Sequence, residues 1–304
     1  MGRVEAIVTT QNQTPLAVVT VTYSPGAYLA DFLDSLAGAC RQPTHVVLAD
    51  NGSTDGVPEA AARERDGVDF VPTGGNLGYG GGMNAGVKAL GKLRAAGEVD
   101  PDWVLLSNPD VAFSPGSIDA LLECARAWDR VGSVGPRIVE SDGSNYPSAR
   151  AVPDLFTGVG HAVFSDIWPS NPWSARYRAG EDMARQREAG WLSGSCLLVS
   201  WEAFAAVGGF DERYFMYLED VDLGDRLTRA GYRNVFCPEA VITHAQGHST
   251  KAHSAAMLRA HHDSAYRFQA DRHPAVWQAP LRWLLRAGLR LRAGLAVAKG
   301  TDKV

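Results

Sequence analysis

An α/β domain with a mostly parallel central sheet is the fold class this sequence predicts, and three observations predict it. Short β-branched apolar runs alternate with helix-length segments through the first 130 residues, the pattern of βαβ units. The apolar runs are near-continuous rather than strictly alternating, as strands buried on both faces are. Several end directly in an Asp- or Asn-bearing turn, and open parallel sheets bind ligands at the carboxyl ends of their strands.

Taken in order, Leu16–Thr22 (LAVVTVT) reads as a buried strand and residues 27–39 as a helix. Residues 45–49 (HVVLA) form a second strand that ends in Asp50-Asn51-Gly52-Ser53. A short helix over 57–65 and a third strand over 68–71 follow, then a glycine-rich stretch from Gly74 to Gly86. The next helix is expected over about 83–95. Trp103–Ser107 (WVLLS) is a fourth strand, ending in Asn108-Pro109-Asp110. Ser114-Pro115 signals the start of a helix over 117–128. Beyond residue 130 the pattern turns irregular, with Pro136, Pro147, Pro153, Pro169 and Pro172. Residues 1–15 read as a loose polar tail, 16–250 as one catalytic domain, and 251–304 as C-terminal helices.

Composition excludes several classes. In 304 residues, 45% are hydrophobic and 21% charged, which is neither disordered nor collagen-like. The net charge of −5 argues against a nucleic-acid partner. Cys40, Cys124, Cys196 and Cys237 are scattered with no CxxC pair, so a zinc ribbon is not expected and a reduced, cytoplasmic setting fits. No window reads as a transmembrane helix. The C-terminus departs from the acidic remainder. Arg282, Arg286, Arg290, Arg292, Lys299 and Lys303 stand against Asp302 alone, interleaved with Trp277, Leu281, Trp283, Leu284, Leu285, Leu289, Leu291 and Leu295. That is a basic amphipathic helix, suited either to an anionic membrane surface or to packing on the domain.

Six stretches could carry chemistry. Thr22-Tyr23-Ser24 and Asp50-Asn51-Gly52 could hold a base, through a carboxylate accepting a ring N–H and an aromatic stacking beside it, although Asn-Gly is also an ordinary turn signal. Asn76, Gly78 and the glycines after them let backbone approach a neighbour closely. They do not follow the first strand, which makes a dinucleotide-binding fingerprint a poor match. Asn108 and Asp110 could hold a divalent cation and through it a diphosphate. Trp191 with Ser193-Gly194-Ser195 could form a sugar-stacking wall, and lacks the Gly-x-Ser-x-Gly of a nucleophile elbow. Between Phe210 and Arg226 six carboxylates lie among aromatics. There desolvation tunes an acid towards general-base work, while Asp222 and Arg226 pair across one helical turn. His244, at a strand end, becomes a metal-ligand candidate if Asp110 shares its site.

In order and spacing, Thr22-Tyr23-Ser24, Asp50-Asn51-Gly52-Ser53, Asn76-Leu77-Gly78, Asn108-Pro109-Asp110, Gly208-Gly209-Phe210-Asp211 and Glu219-Asp220-Val221-Asp222-Leu223 resemble the family-2 inverting glycosyltransferases. The likeness covers about residues 16–250. It implies a GT-A (nucleotide-diphospho-sugar transferase) fold and a Mg²⁺ or Mn²⁺ cofactor. It places Asp220 as base with Glu219 beside it, the nucleotide at Thr22–Ser24, Asp50–Gly52, Asn76 and Gly78, and the metal at Asp110 and His244. Asn108 replaces the first Asp of the usual Asp-x-Asp, which weakens the cation site or leaves it to Asp110. Trp191 and 193–195 would face the acceptor. Tyr146–Arg150, 191–199 and 210–227 carry a finer likeness to rhamnosyltransferases of arabinogalactan-linker synthesis. That likeness implies a dTDP-L-rhamnose donor, a polyprenyl-diphosphate-linked GlcNAc acceptor, and work at the cytoplasmic face of the membrane.

Other readings remain open at this point. The donor could be another nucleotide sugar, and the acceptor another polysaccharide such as an O-antigen. The fold could also serve as a non-catalytic nucleotide-binding scaffold at the membrane. A pyrophosphorylase fits poorly, because no basic residue stands in Tyr23-Ser24-Pro25-Gly26. The partly apolar stretch 255–268, with His261 and His262, suits either a homodimer contact or packing on its own domain.

Overall fold

A computed structural model describes residues 14–154, 182–245 and 254–298. The polar tail expected at the N-terminus lies outside these residues up to position 13, as do Gln246–Ser249 after His244 and the terminal Lys299, Asp302 and Lys303.

The first half follows the expected alternation. β1 (Leu16–Thr22), α1 (Tyr28–Ala39), β2 (Thr44–Asp50), α2 (Val57–Glu64), β3 (Val68–Pro72), α3 (Gly78–Ala95), β4 (Trp103–Ser107), β5 (Val111–Phe113) and α4 (Ser117–Ala127) succeed one another. Then come β6 (Val131–Glu140), β7 (Asn145–Tyr146), β8 (Ala149–Arg150), β9 (Arg187–Ala189), β10 (Trp191–Leu192), β11 (Cys196–Ser200) and α5 (Trp201–Ala206). They are followed by α6 (Glu219–Arg229), β12 (Arg233–His244), α7 (Ser254–Arg272) and α8 (Ala279–Ala298).

The main sheet has the order β3-β2-β1-β4-β11-β6-β12-β5. β3, β2, β1 and β4 are mutually parallel, as are β6 and β12. β11 enters antiparallel between β4 and β6. Successive strand residues point to opposite faces, and both faces are covered. Leu16 and Val18 join α1 and α4 in one core, while Ala17 and Val19 join α3, α5 and α6 in the other. All these strand positions are fully buried, which is why the runs read as continuously apolar. The antiparallel insertion of β11 puts the turn before it, Ser193–Ser195, at the same sheet edge as the ends of β1, β2 and β4.

One element differs from its expectation. The helix placed at about 83–95 begins at Gly78 and absorbs most of the glycine-rich stretch. Glycines weaken an isolated helix, but here they let α3 lie directly on the sheet. A Cβ on Gly86 would sit 2.3 Å from Val19 Cγ1. At Gly78, which has a positive φ of 75°, it would sit 2.1 Å from the Phe215 carbonyl oxygen. The close neighbours of this stretch are therefore β1 and the 210–215 segment.

The helix α7 packs on its own domain. Phe268 is buried in a cluster with Tyr214 and Val221, and His261 meets the Tyr217 ring edge-on at 5.5 Å.

Candidate active site

Thr22 and Asp50 are the last residues of neighbouring parallel strands and stand opposite each other in register. The buried Asp50 carboxylate accepts from four donors: Thr22 Oγ1 (2.7 Å), Ser53 Oγ, and the N–H groups of Gly52 (3.0 Å) and Ser53 (2.9 Å). Burial pushes its pKa up, but the hydrogen bonds from Ser53, Thr22 and Gly52 outweigh burial and leave it below the usual value. A carboxylate offers about four lone-pair positions, so all are in use. Asp50 thus shapes the turn, and contact with a base N–H requires a hydroxyl of Thr22 or Ser53 to turn aside. Tyr23 is 56% exposed beside this turn. Ser24, at φ 50°, donates its N–H to Ser53 Oγ and accepts from the Thr54 N–H.

Asn51 ties the turn to α3. Its amide donates to the Gly78 carbonyl at 2.9 Å, and its oxygen accepts from Thr73 Oγ1 at 2.9 Å. Asn76 Oδ1 accepts the Gly78 N–H at 3.0 Å. Thr22, Asp50, Asn51, Gly52, Asn76 and Gly78 are therefore brought together.

Asp110 and His244 share a site, as the sequence required of them. His244 Nε2 lies 3.1 Å from Asp110 Oδ1 and 3.5 Å from Asn108 Nδ2. β12 delivers His244 and β5 runs beside it from Val111, with Val111 and His244 in register. The Asn108 N–H donates to the Ser195 carbonyl at 2.9 Å, joining this group to the 193–195 turn. One carboxylate, one imidazole and a neighbouring amide suit a Mg²⁺ or Mn²⁺ ion whose other ligands are diphosphate oxygens and water. Among the described residues no group of three or more His, Cys, Asp and Glu could hold a metal.

The carboxylates of the acidic stretch divide by role. Asp222 pairs with Arg226 at 2.7 Å, as its spacing predicts, and Asp225 pairs with Arg229 (3.1 Å) and Arg272. Among the described residues Glu219 and Asp220 have no such cation. Asp220 Oδ2 accepts the Gly194 N–H at 2.9 Å and Oδ1 the Val221 N–H at 2.8 Å. Burial raises its pKa against these hydrogen bonds and the more distant charge of Arg150. Glu219 is buried, with Oε2 lacking any hydrogen-bond partner among the described residues, and burial followed by the charge of Asp220 raises its pKa strongly. Burial thus raises both carboxyls and the charge of Asp220 adds to the rise at Glu219, the kind of perturbation that clusters at proton-transferring sites.

Gly194 lies between these groups. Its carbonyl accepts from the Tyr79 hydroxyl while its N–H holds Asp220. Ser193 and Ser195 hydroxyls lie 3.1 Å apart on either side. Trp191 is placed differently from its neighbours. Its indole N–H donates to the Ala151 carbonyl at 3.1 Å, and its ring packs partly buried against the Tyr214–Val221 cluster beneath α6. Tyr79 and Arg150 are site residues that the sequence did not single out. Tyr79 is hidden by the glycines around it, and Arg150 by a two-residue strand, β8, too short to mark itself after Pro147. Tyr217 and Leu218, at φ 68° and 62°, precede Glu219 in consecutive left-handed conformations. Such strain in non-glycine residues concentrates at functional sites, and no sequence signal marks it.

Comparison with known proteins closes the description. Residues 13–261 match the model of the family described as "Glycosyltransferase like family 2". The chain is 55% identical over 285 residues to the N-acetylglucosaminyl-diphospho-decaprenol L-rhamnosyltransferase of Mycobacterium tuberculosis, covering 93% of this chain and 92% of that one. Among solved structures, residues 1–349 of S. aureus TarS superpose with a TM-score of 0.52 at 15% identity, over 92% of this chain and 80% of that one. GalNAc-T7 with UDP, GalNAc and Mn²⁺ superposes with a TM-score of 0.52 at 16% identity, over 76% and 43%.

Proposed function

The chain belongs to glycosyltransferase family 2 and has a GT-A fold, and from that premise we propose that it transfers L-rhamnose from dTDP-β-L-rhamnose to N-acetylglucosaminyl-diphospho-decaprenol, with inversion. The observation that carries the proposal is the 55% identity to the mycobacterial L-rhamnosyltransferase across nearly the whole of both chains. The site's chemistry supports it.

Inverting transfer needs one base and no enzyme nucleophile. Asp220, held by the Gly194 and Val221 N–H groups, takes the proton of the acceptor hydroxyl as that oxygen bonds to rhamnose C1. The C1–O bond to the diphosphate breaks in the same displacement, and dTDP leaves with the electron pair. Glu219, kept neutral by burial, leaves Asp220 as the ionised member of the pair. The strand-end turns of Thr22–Ser24, Asp50–Gly52 and Asn76–Gly78 cradle the nucleotide. Asp110 and His244, with Asn108 alongside, would hold a divalent cation, which when bound supplies charge for the departing diphosphate. The 193–195 turn faces the acceptor sugar, with Trp191 supporting α6 behind it.

A polyprenyl-linked acceptor supports a reaction at a bilayer surface, and the face we propose is the cytoplasmic one. Among the described residues no helix is long and apolar enough to cross a membrane; the attachment we propose is peripheral.

The test is a transfer assay with purified protein, dTDP-L-rhamnose and a short-chain polyprenyl-diphosphoryl-GlcNAc, with Mg²⁺ or Mn²⁺ and a parallel EDTA reaction. A rhamnosylated lipid that disappears with EDTA is the expected result. No transfer from dTDP-L-rhamnose, with transfer from a UDP-sugar, would overturn the donor assignment.

A further inference from the structure

The last helix turns its apolar side away from the protein. α8 folds back along α7. The Arg286 guanidinium lies over the Tyr266 ring at 5.2 Å, and Arg282 donates to the carbonyls of His273 (2.7 Å) and Ala275 (2.9 Å). Arg282, Leu285 and Leu289 are the partly buried positions on this inner side. The opposite side is open to solvent: Trp283 is 78% exposed, Leu284 73% and Leu291 66%, and Trp277 in the preceding turn is 79% exposed. At 100° per residue, positions 280, 284, 287, 288 and 291 share this outer face, with 283 at its edge. They are Pro, Leu, Ala, Gly and Leu, so the face carries no charge. Arg290 runs along one border of it, past Trp283, and Arg292 along the other, while Arg286 is turned to α7.

A globular helix buries its apolar stripe, and this one exposes it. We propose that the outer face of α8, with Trp277, is a docking surface for an anionic lipid bilayer. Charge selects this occupant. From residue 272 to residue 301 the sequence holds no Asp or Glu, in a chain whose net charge is −5. A second copy of the same face would set arginine borders against each other, whereas lipid phosphates pair with them. Tryptophans flanking an apolar stripe match the headgroup boundary, where one edge of the ring is apolar and the other wet. The helix would lie in the plane of the surface with Leu284 and Leu291 pointing inward.

The hairpin also fixes what docking would orient. Arg272 pairs with Asp225, Asp271 with Arg213 (2.7 Å), and Ser264 donates to the Met216 carbonyl at 2.9 Å. α7 is thereby fastened to the segment that carries Glu219 and Asp220, so a docked α8 holds that segment at a set attitude to the lipid. That the bilayer contains the acceptor rests on the rhamnosyl-transfer reading, whereas lipid binding itself does not.

The experiment is co-sedimentation of the full chain with vesicles of phosphatidylglycerol and phosphatidylcholine in equal parts, and with pure phosphatidylcholine, without donor or acceptor. The expected result is binding to the anionic vesicles only. Binding should weaken roughly tenfold or more in Trp283→Ser/Leu284→Ser and in Arg290→Gln/Arg292→Gln, while all three proteins turn over a water-soluble short-chain acceptor equally. No binding by the parent protein, or binding unchanged in both variants, would overturn the proposal. A dimer in solution that dissolves in Trp283→Ser/Leu284→Ser, without vesicle binding by the parent, would assign the face to a second copy instead. Because sedimentation needs no turnover, its failure is distinguishable from failure of the transfer assay.

Discussion

The backbone N–H of Gly194 donates to Oδ2 of Asp220 at 2.9 Å. Gly194 precedes β11, the antiparallel strand beside β4, whereas Asp220 stands in the first turn of α6. The bond therefore fastens a rigid sheet edge to a carboxylate on a neighbouring layer. The Cα of Gly194 has little room for more: a Cβ there would lie 3.3 Å from both Asp220 Cβ and Tyr79 Cε1. Glycine lets the peptide approach the carboxylate, and the peptide holds the carboxylate still.

If Asp220 is the base, Asp220→Asn preserves shape and removes proton acceptance. The expected outcome is a fall in kcat of about 10²- to 10⁴-fold, with dTDP binding by calorimetry unchanged. Undiminished kcat would place the base elsewhere, and absence of turnover in the parent protein with dTDP binding intact would favour a scaffold.

Tyr79 donates to the carbonyl of Gly194, the residue whose N–H holds Asp220, and is thus placed to position that carboxylate. Tyr79→Phe keeps the ring against Phe210, which it meets edge-on at 5.6 Å, and removes the donor to the Gly194 carbonyl. Stability should fall by about 1 kcal/mol. A purely structural role would leave kcat untouched once the protein is folded, whereas a positioning role lowers kcat and leaves the donor KM unchanged. Steady-state kinetics at saturating acceptor separates the two.

The parallel half of the sheet was legible because β1, β2 and β4 are buried on both faces and carry uninterrupted apolar runs. The Asp222–Arg226 pair was legible because helical spacing alone brings the two together. The Asp110–His244 pair was legible only as a conditional, since 134 residues separate its members. The start of α3 was not legible, because Gly78, Gly80, Gly81 and Gly82 argue against a helix by propensity and are admitted by packing. The second role of Asp50 was hidden for another reason: its sequence context shows a strand-end carboxylate, but not that Thr22, Ser53 and Gly52 already fill its acceptor positions.

The packing argument for α3 predicts opposite outcomes at two of its glycines. Gly86→Ala drives a Cβ to within 2.3 Å of the buried Val19 and should destabilise by about 1–3 kcal/mol. Gly91, with nothing within 4 Å of its would-be Cβ, should accept Ala with a gain of about 0.5–1 kcal/mol. Urea midpoints of the two variants give the comparison, and equal shifts would sink the packing account.

The proposed cation site at Asp110 and His244 predicts a graded response. His244→Ala should raise the Mn²⁺ concentration for half-maximal activity roughly tenfold or more, because Asp110 then stands with only substrate oxygens and water. Asp110→Asn should raise it further. A Mn²⁺ dependence identical to the parent in both variants would remove these residues from the metal's ligands.

Glu219 gives the pH dependence its sign. Burial first, and the charge of Asp220 second, push its carboxyl from an ordinary 4.5 up to about 8 in the folded protein. Between those values the native state keeps a proton that the unfolded chain has released. Raising the pH through that window therefore removes stability, and the loss is complete only above about 8. Glu219→Gln replaces the neutral acid with a neutral amide of similar shape and abolishes the titration. Its melting temperature should track that of the parent near about pH 5 and exceed it increasingly towards about pH 8. The same variant should keep most of its kcat at neutral pH, because Asp220 is untouched. A melting difference that does not change with pH would mean that Glu219 is ionised throughout, and the single-proton description of the carboxylate pair would fail with it.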